Sequence, residues 1–336
     1  MRRALGPIAA ALLVLVAACA PAPSASSPSV TPTTAPVKLS VAFSNITLDN
    51  LSLWYAFEKA VGKNSGLDLE IVSINGGSQT MAGLIAGMYP LAQLGGSEVM
   101  SAAAGGEDLV IVGTNTAVFP YVLEARAEIK TPEDLRGKKV GISNAGGSSD
   151  IATRVALRAM GLDPDKDVVI VALGSHAQRT AALQAGAIAA AVDDPPNTVD
   201  DERLGMHPIY DLAAKKLPTA QTSIAGKRSW IEANRTTTQR YIDTIVKSMA
   251  ALRKDKDGTI AVLKKYYKSS DDAAMAVAYD FYVNEVLAQL PYPSAEQFMS
   301  AQAELSKTNR KLVGFDVAKI VDPSFVKSAE DRKLHQ

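Results

Sequence analysis

From Val37 onward the apolar positions switch repeatedly between a period of two and a period near 3.6, the signature of strands alternating with helices. Val37, Leu39, Val41 and Phe43 fall on every second position and predict a strand, and Leu51 to Val61 then predicts a helix. Leu67 to Ile74 and Leu109 to Gly113 predict further strands, with helices around Met81 to Gly87 and Glu98 to Ala104 between them. This order predicts a parallel sheet covered by helices.

A second set opens near Glu128. Thr131-Pro132-Glu133-Asp134 supplies a capping threonine, a proline at the first helical position and an acid at the third. Strands are expected at Lys138 to Ser143, Val168 to Leu173 and Ile188 to Asp193, with helices around Ile151 to Met160 and Thr180 to Gly186. A last strand-like run, Gln221 to Ala225, is followed by helical sequence to the end. Ile242, Ile245, Val246, Met249 and Leu252 recur at helical spacing, and Ser294 with Gln297 forms a capping box. A helical block with no strands of its own needs a sheet to cover, and the first lobe is the expected host. The chain then crosses between lobes near Val118 to Arg126 and near Leu217 to Lys227, and two crossings make a hinge. The resulting expectation is an α/β protein with lobe 1 formed by 37–122 and 222–336 and lobe 2 by 123–221.

The first residues follow another pattern. Arg2 and Arg3 precede an apolar run, Leu5 to Val16, too short to span a bilayer, and small residues then lead to Cys19, the only cysteine of 336 residues. Residues 1–18 read as a lipoprotein signal peptide, because Val16-Ala17-Ala18-Cys19 resembles a bacterial lipobox, whose cysteine is cleaved on its amino side and acylated. From 19 to 36 the chain is nearly all Ala, Pro, Ser and Thr, a composition that cannot bury a core. As a tether it reaches roughly 20–25 Å. The expected location is therefore the extracytoplasmic face of the cell envelope, lipid-anchored to a membrane through Cys19.

Composition narrows the chemistry. Lys and Arg (35) balance Asp and Glu (35), which argues against nucleic acid. One cysteine and three histidines leave no thiolate zinc site and little for metal or general-base work. Neither a Gly-x-Ser-x-Gly elbow nor a His-Glu-x-x-His motif occurs. No cofactor and no metal are expected.

The most informative feature is a repeated junction. Ile74-Asn75-Gly76-Gly77-Ser78 and Asn144-Ala145-Gly146-Gly147-Ser148 each end an expected strand and open an expected helix, one in each lobe, and Gly95-Gly96-Ser97 is a third such step. Glycines let backbone approach a ligand, serine is a good helix cap, and exposed N–H groups with the helix dipole favour an anion. Open α/β sheets bind ligands at this carboxyl edge. Gly77, Ser78, Gln79, Ser97, Gly147, Ser148 and Ser149 are thus ligand-contact candidates, with helix capping as the alternative reading. By position, Ser44 and Asn45 after the first strand, His176 after Leu173, and Asp194 at the end of Ile188 to Asp193 join them; a solvated loop histidine and an Asp-Pro turn are their other readings.

These segments carry a family resemblance. Gly76-Gly77-Ser78, Leu84-Ile85-Ala86-Gly87 and the run Ala102 to Val112 resemble the first lobe of SsuA/TauA/THI5-like (NMT1-type) substrate-binding proteins of ABC importers. Asp134 to Gly141 resembles their second-lobe opening, and Ala182 to Ala190 the step before an Asp-Pro, here Asp194-Pro195. Two positions depart: Ala189 stands where an Asp is frequent, and Asp193 where an aromatic often precedes the Asp-Pro. The resemblance implies a type II periplasmic-binding fold closing on a small solute, here expected to be an anionic organic one, with an ABC permease as partner and a monomeric chain. A solute-sensing or scaffold lipoprotein is the alternative. An enzyme on the same fold is a remote one, since its porphobilinogen-deaminase and iron-linked THI5 versions need cysteines.

Overall fold

The computed structural model describes residues 35–336, and its first strand falls where the alternation predicts it. β1 (Val37–Ser44) buries Leu39, Val41 and Phe43 and leads through a 3-10 turn, Leu48–Asn50, into α1 (Leu51–Glu58). Then come β2 (Leu67–Ile74), α2 (Gly77–Ile85), β3 (Leu91–Leu94), α3 (Gly96–Gly105), β4 (Leu109–Val118) and β5 (Val122–Ala125). β6 (Lys139–Ile142), α4 (Ser148–Ala159), β7 (Val169–Ala172), α5 (His176–Gln184), β8 (Ala190–Asp193), α6 (Asn197–Arg203) and β9 (His207–Asp211) follow. β10 (Pro218–Lys227) precedes α7 (Arg228–Ala233), α8 (Arg235–Lys254), α9 (Lys256–Tyr267), α10 (Asp272–Phe281), α11 (Met299–Leu305) and α12 (Ser324–Asp331).

The strands form two five-stranded mixed sheets, β2-β1-β3-β10-β4 and β7-β6-β8-β5-β9, each the centre of one lobe. In each sheet β-α-β connections give three parallel strands, and one antiparallel strand next to a crossing, β10 or β5, pairs with two neighbours. Both crossings are short: 119–121 joins β4 to β5, and 212–217 joins β9 to β10. β10 lies wholly in the first sheet, so the second crossing falls upstream of the expected Leu217 to Lys227. The reason is local, because β10 extends three residues ahead of the strand-like run that marked it and pairs Pro218 with Val118.

One face of the first sheet packs on α1, α8, α9, α10 and α12 through Phe43, Trp54, Tyr241, Ile245 and Phe325. Ile242, Ile245, Val246, Met249 and Leu252 are all buried, as their spacing predicts. The terminal block does not serve the first lobe alone, however. α11 reaches the second, where Glu304 pairs with Arg158 of α4 and Lys307 lies 3.4 Å from Asp165. A second apolar cluster accordingly runs through both lobes and includes Leu94, Phe119, Leu123, Ile151 and Phe298. Ser294 and Gln297 form the expected capping box, but it opens a 3-10 turn, Ala295–Phe298, that continues into α11. Cys19, the signal peptide and residues 19–34 of the tether lie outside the described residues. Among the described residues no helix is long and apolar enough to cross a membrane.

Candidate functional site

The glycine junctions end strands and open helices as expected, but their serines are not the caps. Gly76, Gly95 and Gly147 occupy the N-cap positions of α2, α3 and α4, and none offers a side-chain acceptor to the first turn. Gly76 has φ 109°, a region that favours glycine. Gly96 lets α3 approach β10 so closely that a Cβ there would lie 2.4 Å from Cβ of Ala220. Ser78, Ser97 and Ser148 therefore sit inside the first turns, whose N–H groups receive no acceptor from an N-cap side chain.

The other expected residues separate into groups. Asn45, with φ 61°, is exposed and accepts the Gly76 N–H on Oδ1 at 2.9 Å; it follows the half-buried Ser44. Gly77 is partly covered by the Glu98 side chain, while Ser78 and Gln79 are exposed. Ser97 is buried and donates to Glu98 Oε2 at 2.7 Å. In the second lobe Ser149 Oγ accepts the Ser143 N–H at 2.9 Å, and Gly147 packs on Asn144. Ser97 and Ser148 meet across the lobes in a small pocket with Phe119, Thr219 and Gln297, whose cavity of about 10 Å³ has room for no more than a water.

His176 does not sit in a loop. It opens α5, capped by Ser175 with a capping box to Gln178, and its Nδ1 lies 2.5 Å from Asp193 Oδ2. The same oxygen takes Arg179 Nη2 at 2.6 Å, while Asn197 donates to Oδ1 at 2.9 Å. Burial opposes charge on both partners, but the His176 bond and the Arg179 charge hold the Asp193 carboxyl below the usual range, and the Asp193 bond and charge push the His176 imidazole up. His176, Asp193 and Asp201 converge closely enough to be examined as a metal site. The chemistry argues otherwise: Asp193 is already balanced by two cationic groups, and a guanidinium in that shell would repel a metal ion.

The sign of the His176 pair fixes a testable pH window. A raised imidazole contributes stability that is fully present below its unfolded pKa of about 6.5 and lost as pH rises through the folded value. A depressed Asp193 contributes above about 3.8. His176→Ala should therefore cost about 1.5–3 kcal/mol near pH 5.5 and clearly less at pH 9, read by urea unfolding. Equal losses at both values would exclude a charged pair.

A further group, in which Asp194 was expected and Asp49, Gln221 and Tyr267 were not, lies where the lobes meet beside the crossings. Asp49, in the turn after β1, accepts from Gln221 Nε2 at 3.3 Å, and the same Nε2 lies 2.6 Å from the hydroxyl of Tyr121 in the first crossing. Burial raises Asp49 to about 6, against hydrogen bonds from Gln221, Thr116 and Thr222. Asp194, entering from the second lobe, is pushed well up by burial and then by the charges of Asp193 and Asp49. Tyr267, in the last turn of α9, is raised by burial and by Asp194, Asp49 and Asp193. Asp49 Oδ1, Asp194 Oδ2 and Gln221 Oε1 are buried with no hydrogen-bond partner. Buried polar groups are normally satisfied, and these three unpaired acceptors, drawn from both lobes, make this spot the candidate solute site. On the flanks Arg203 pairs with Asp271 at 2.6 Å and Lys216 with Glu285 at 2.6 Å, each linking the lobes.

Residues 52–258 match the model of the NMT1/THI5-like family. No curated protein sequence matches the chain. Among solved structures, a protein of Bordetella bronchiseptica RB50 aligns with TM-score 0.74 at 20% identity over 88% of this chain and 98% of its own. The periplasmic aliphatic sulphonate binding protein SsuA from Escherichia coli aligns with TM-score 0.69 at 24% identity, over 83% and 94%. The periplasmic nitrate-binding protein NrtA from Synechocystis PCC 6803 gives 0.68 at 14%, over 89% and 90%. At these identities the likeness is one of fold, the two-lobed periplasmic-binding fold.

Proposed function

Because the chain belongs to the NMT1/THI5-like family, we propose that it is an extracytoplasmic solute-binding lipoprotein that captures a small organic solute between its lobes and delivers it to an ABC importer. The observation that carries this reading is the set of buried, unpaired acceptor atoms contributed by both lobes, Asp49 and Gln221 from one side and Asp194 from the other, with Tyr121 of the first crossing bonded to Gln221 between them. Asp193 and His176 are committed to each other and to Arg179, so neither is free to act as nucleophile or base.

In this reading residues 1–18 are the signal peptide, Cys19 carries the lipid, and residues 20–36 hold the domain clear of the bilayer. We place the lobe boundaries at the strand ends, 37–118 with 218–336 and 122–211, in place of the sequence-based 122 and 222. Solute pairs the groups left unpaired and so favours the closed form over the open one, because it bonds both lobes only when they meet. Closed lobes then dock on a permease, and the Ser44, Asn45, Gly77, Ser78 and Gln79 edge of the first lobe supplies further contacts near the cleft mouth.

The test is a thermal-shift screen of the full chain against sulfonates, carboxylates, nitrate, amino acids, amines and pyrimidines, with X-ray scattering on each hit. A solute at a hundred times its Kd should add about 2.7 kcal/mol and leave the protein more compact. Silence across the panel would overturn the binding role.

A further inference from the structure

Charge in the cleft bears on which solute fits. Asp49 and Asp194 are 3% and 4% exposed, come from opposite lobes, and neither forms an ion pair among the described residues. Arg179, whose charge reaches Asp194, is bonded to Asp193 and to the carbonyl of Gly174. Both carboxyls are thus buried where the lobes meet, without an ion-pair partner, an arrangement that costs heavily unless something neutralises them. Gln221 gives an independent pointer. It is 6% exposed, its amide nitrogen serves Asp49 and Tyr121, and its carbonyl oxygen has no partner.

Asp49 Oδ1, Asp194 Oδ2 and Gln221 Oε1 are all acceptors, so the missing partner is rich in donors. Tyr121 joins the two acids: its neighbour Val122 pairs with Asp193, which sets it beside Asp194, and its hydroxyl shares the Gln221 amide with Asp49. An anion placed there would add a third negative charge.

Resting on the solute-binding reading above, we propose that the solute is a small organic cation, an amine or amidine with at least two N–H donors, held between Asp49 of the first lobe and Asp194 of the second beside Tyr121. The cation is also the closing agent, since it bonds the acids of both lobes at once only when the lobes meet. This choice departs from the anion that the helix N-termini alone suggest, and the pocket those termini share is too small for an organic solute.

The experiment is calorimetry on the full chain with putrescine, agmatine and benzamidine in one arm and methanesulfonate, nitrate and benzoate in the other, repeated on Asp49→Asn and Asp194→Asn. At least one cation should bind, no anion should, and each substitution should weaken that cation tenfold or more while circular dichroism shows the fold kept. An anion binding in place of the cations would overturn this inference and leave the solute-binding role standing. Cation binding untouched by either substitution would overturn the site. Silence in both arms and across the wider screen would overturn the role itself.

Discussion

Trp54→Ala is expected to cost the folded chain about 3–5 kcal/mol, the range for removing a large aromatic from a packed core. Trp54 is fully buried on α1 and lies against the ring of Tyr266 with centroids 4.4 Å apart and planes 4° from parallel. It also meets Phe43 of β1 and Tyr267 edge-on at 5.9 and 6.1 Å. Its removal leaves a cavity where the first strand, first helix and α9 converge. Urea unfolding checks this; a loss under 1 kcal/mol would mean that the aromatic cluster is not a packing nucleus.

Asp49→Asn should do the opposite to the ligand-free chain and stabilise it. A carboxyl whose folded pKa is raised from 3.8 to about 6 makes the folded state hold its proton longer than the unfolded chain does. Stability is therefore undiminished below about pH 4, falls as pH rises between about 4 and 6, and stays lower above that. A shift of about two units corresponds to roughly 3 kcal/mol at neutral pH. The amide retains an acceptor for Gln221 and never ionises. Thermal unfolding should show the variant more stable than the parent at pH 7.5 and equal to it at pH 4. A gain at both values would point to packing instead of charge. Set beside the tenfold weaker cation binding expected of the same variant, the result would be a trade of stability for function, common where a site is built from strained charges.

Much of the scaffold could be read from the chain. Alternation in Val37 to Phe43 and helical spacing in Ile242 to Leu252 are local signals with a single physical meaning, and each corresponds to an element in the structure. β3, β5 and β9 were not foreseen, for reasons visible in them. Leu91–Leu94 is only four residues and buried throughout, so it has no alternation to show, and β9 contains Pro208, usually a mark against a strand. The site divides in the same way. The glycine junctions and Asp194 were legible because backbone freedom and a strand-end acid are local properties. Asp49, Gln221 and Tyr267 were not, since Asp49 and Gln221 lie 172 residues apart and only the sheet order brings them together. His176 was read as an isolated loop residue because its partner, Asp193, enters from another strand end.

The position of β10 has a consequence for how the protein is made. β10 lies between β3 and β4 and is antiparallel to both, so those strands are without a neighbour between them until residues 218–227 have emerged. The second sheet, by contrast, is complete in one uninterrupted stretch, 122–211. A chain released from its amino end, whether by a ribosome or through an export pore, thus has everything it needs to assemble the inserted lobe while the outer lobe still waits for the strand that joins β3 to β4. Domains of this kind close their shortest contacts first. The outer lobe, with its unpaired strand edges exposed for longer, is the part of this molecule that most depends on prompt completion to escape aggregation.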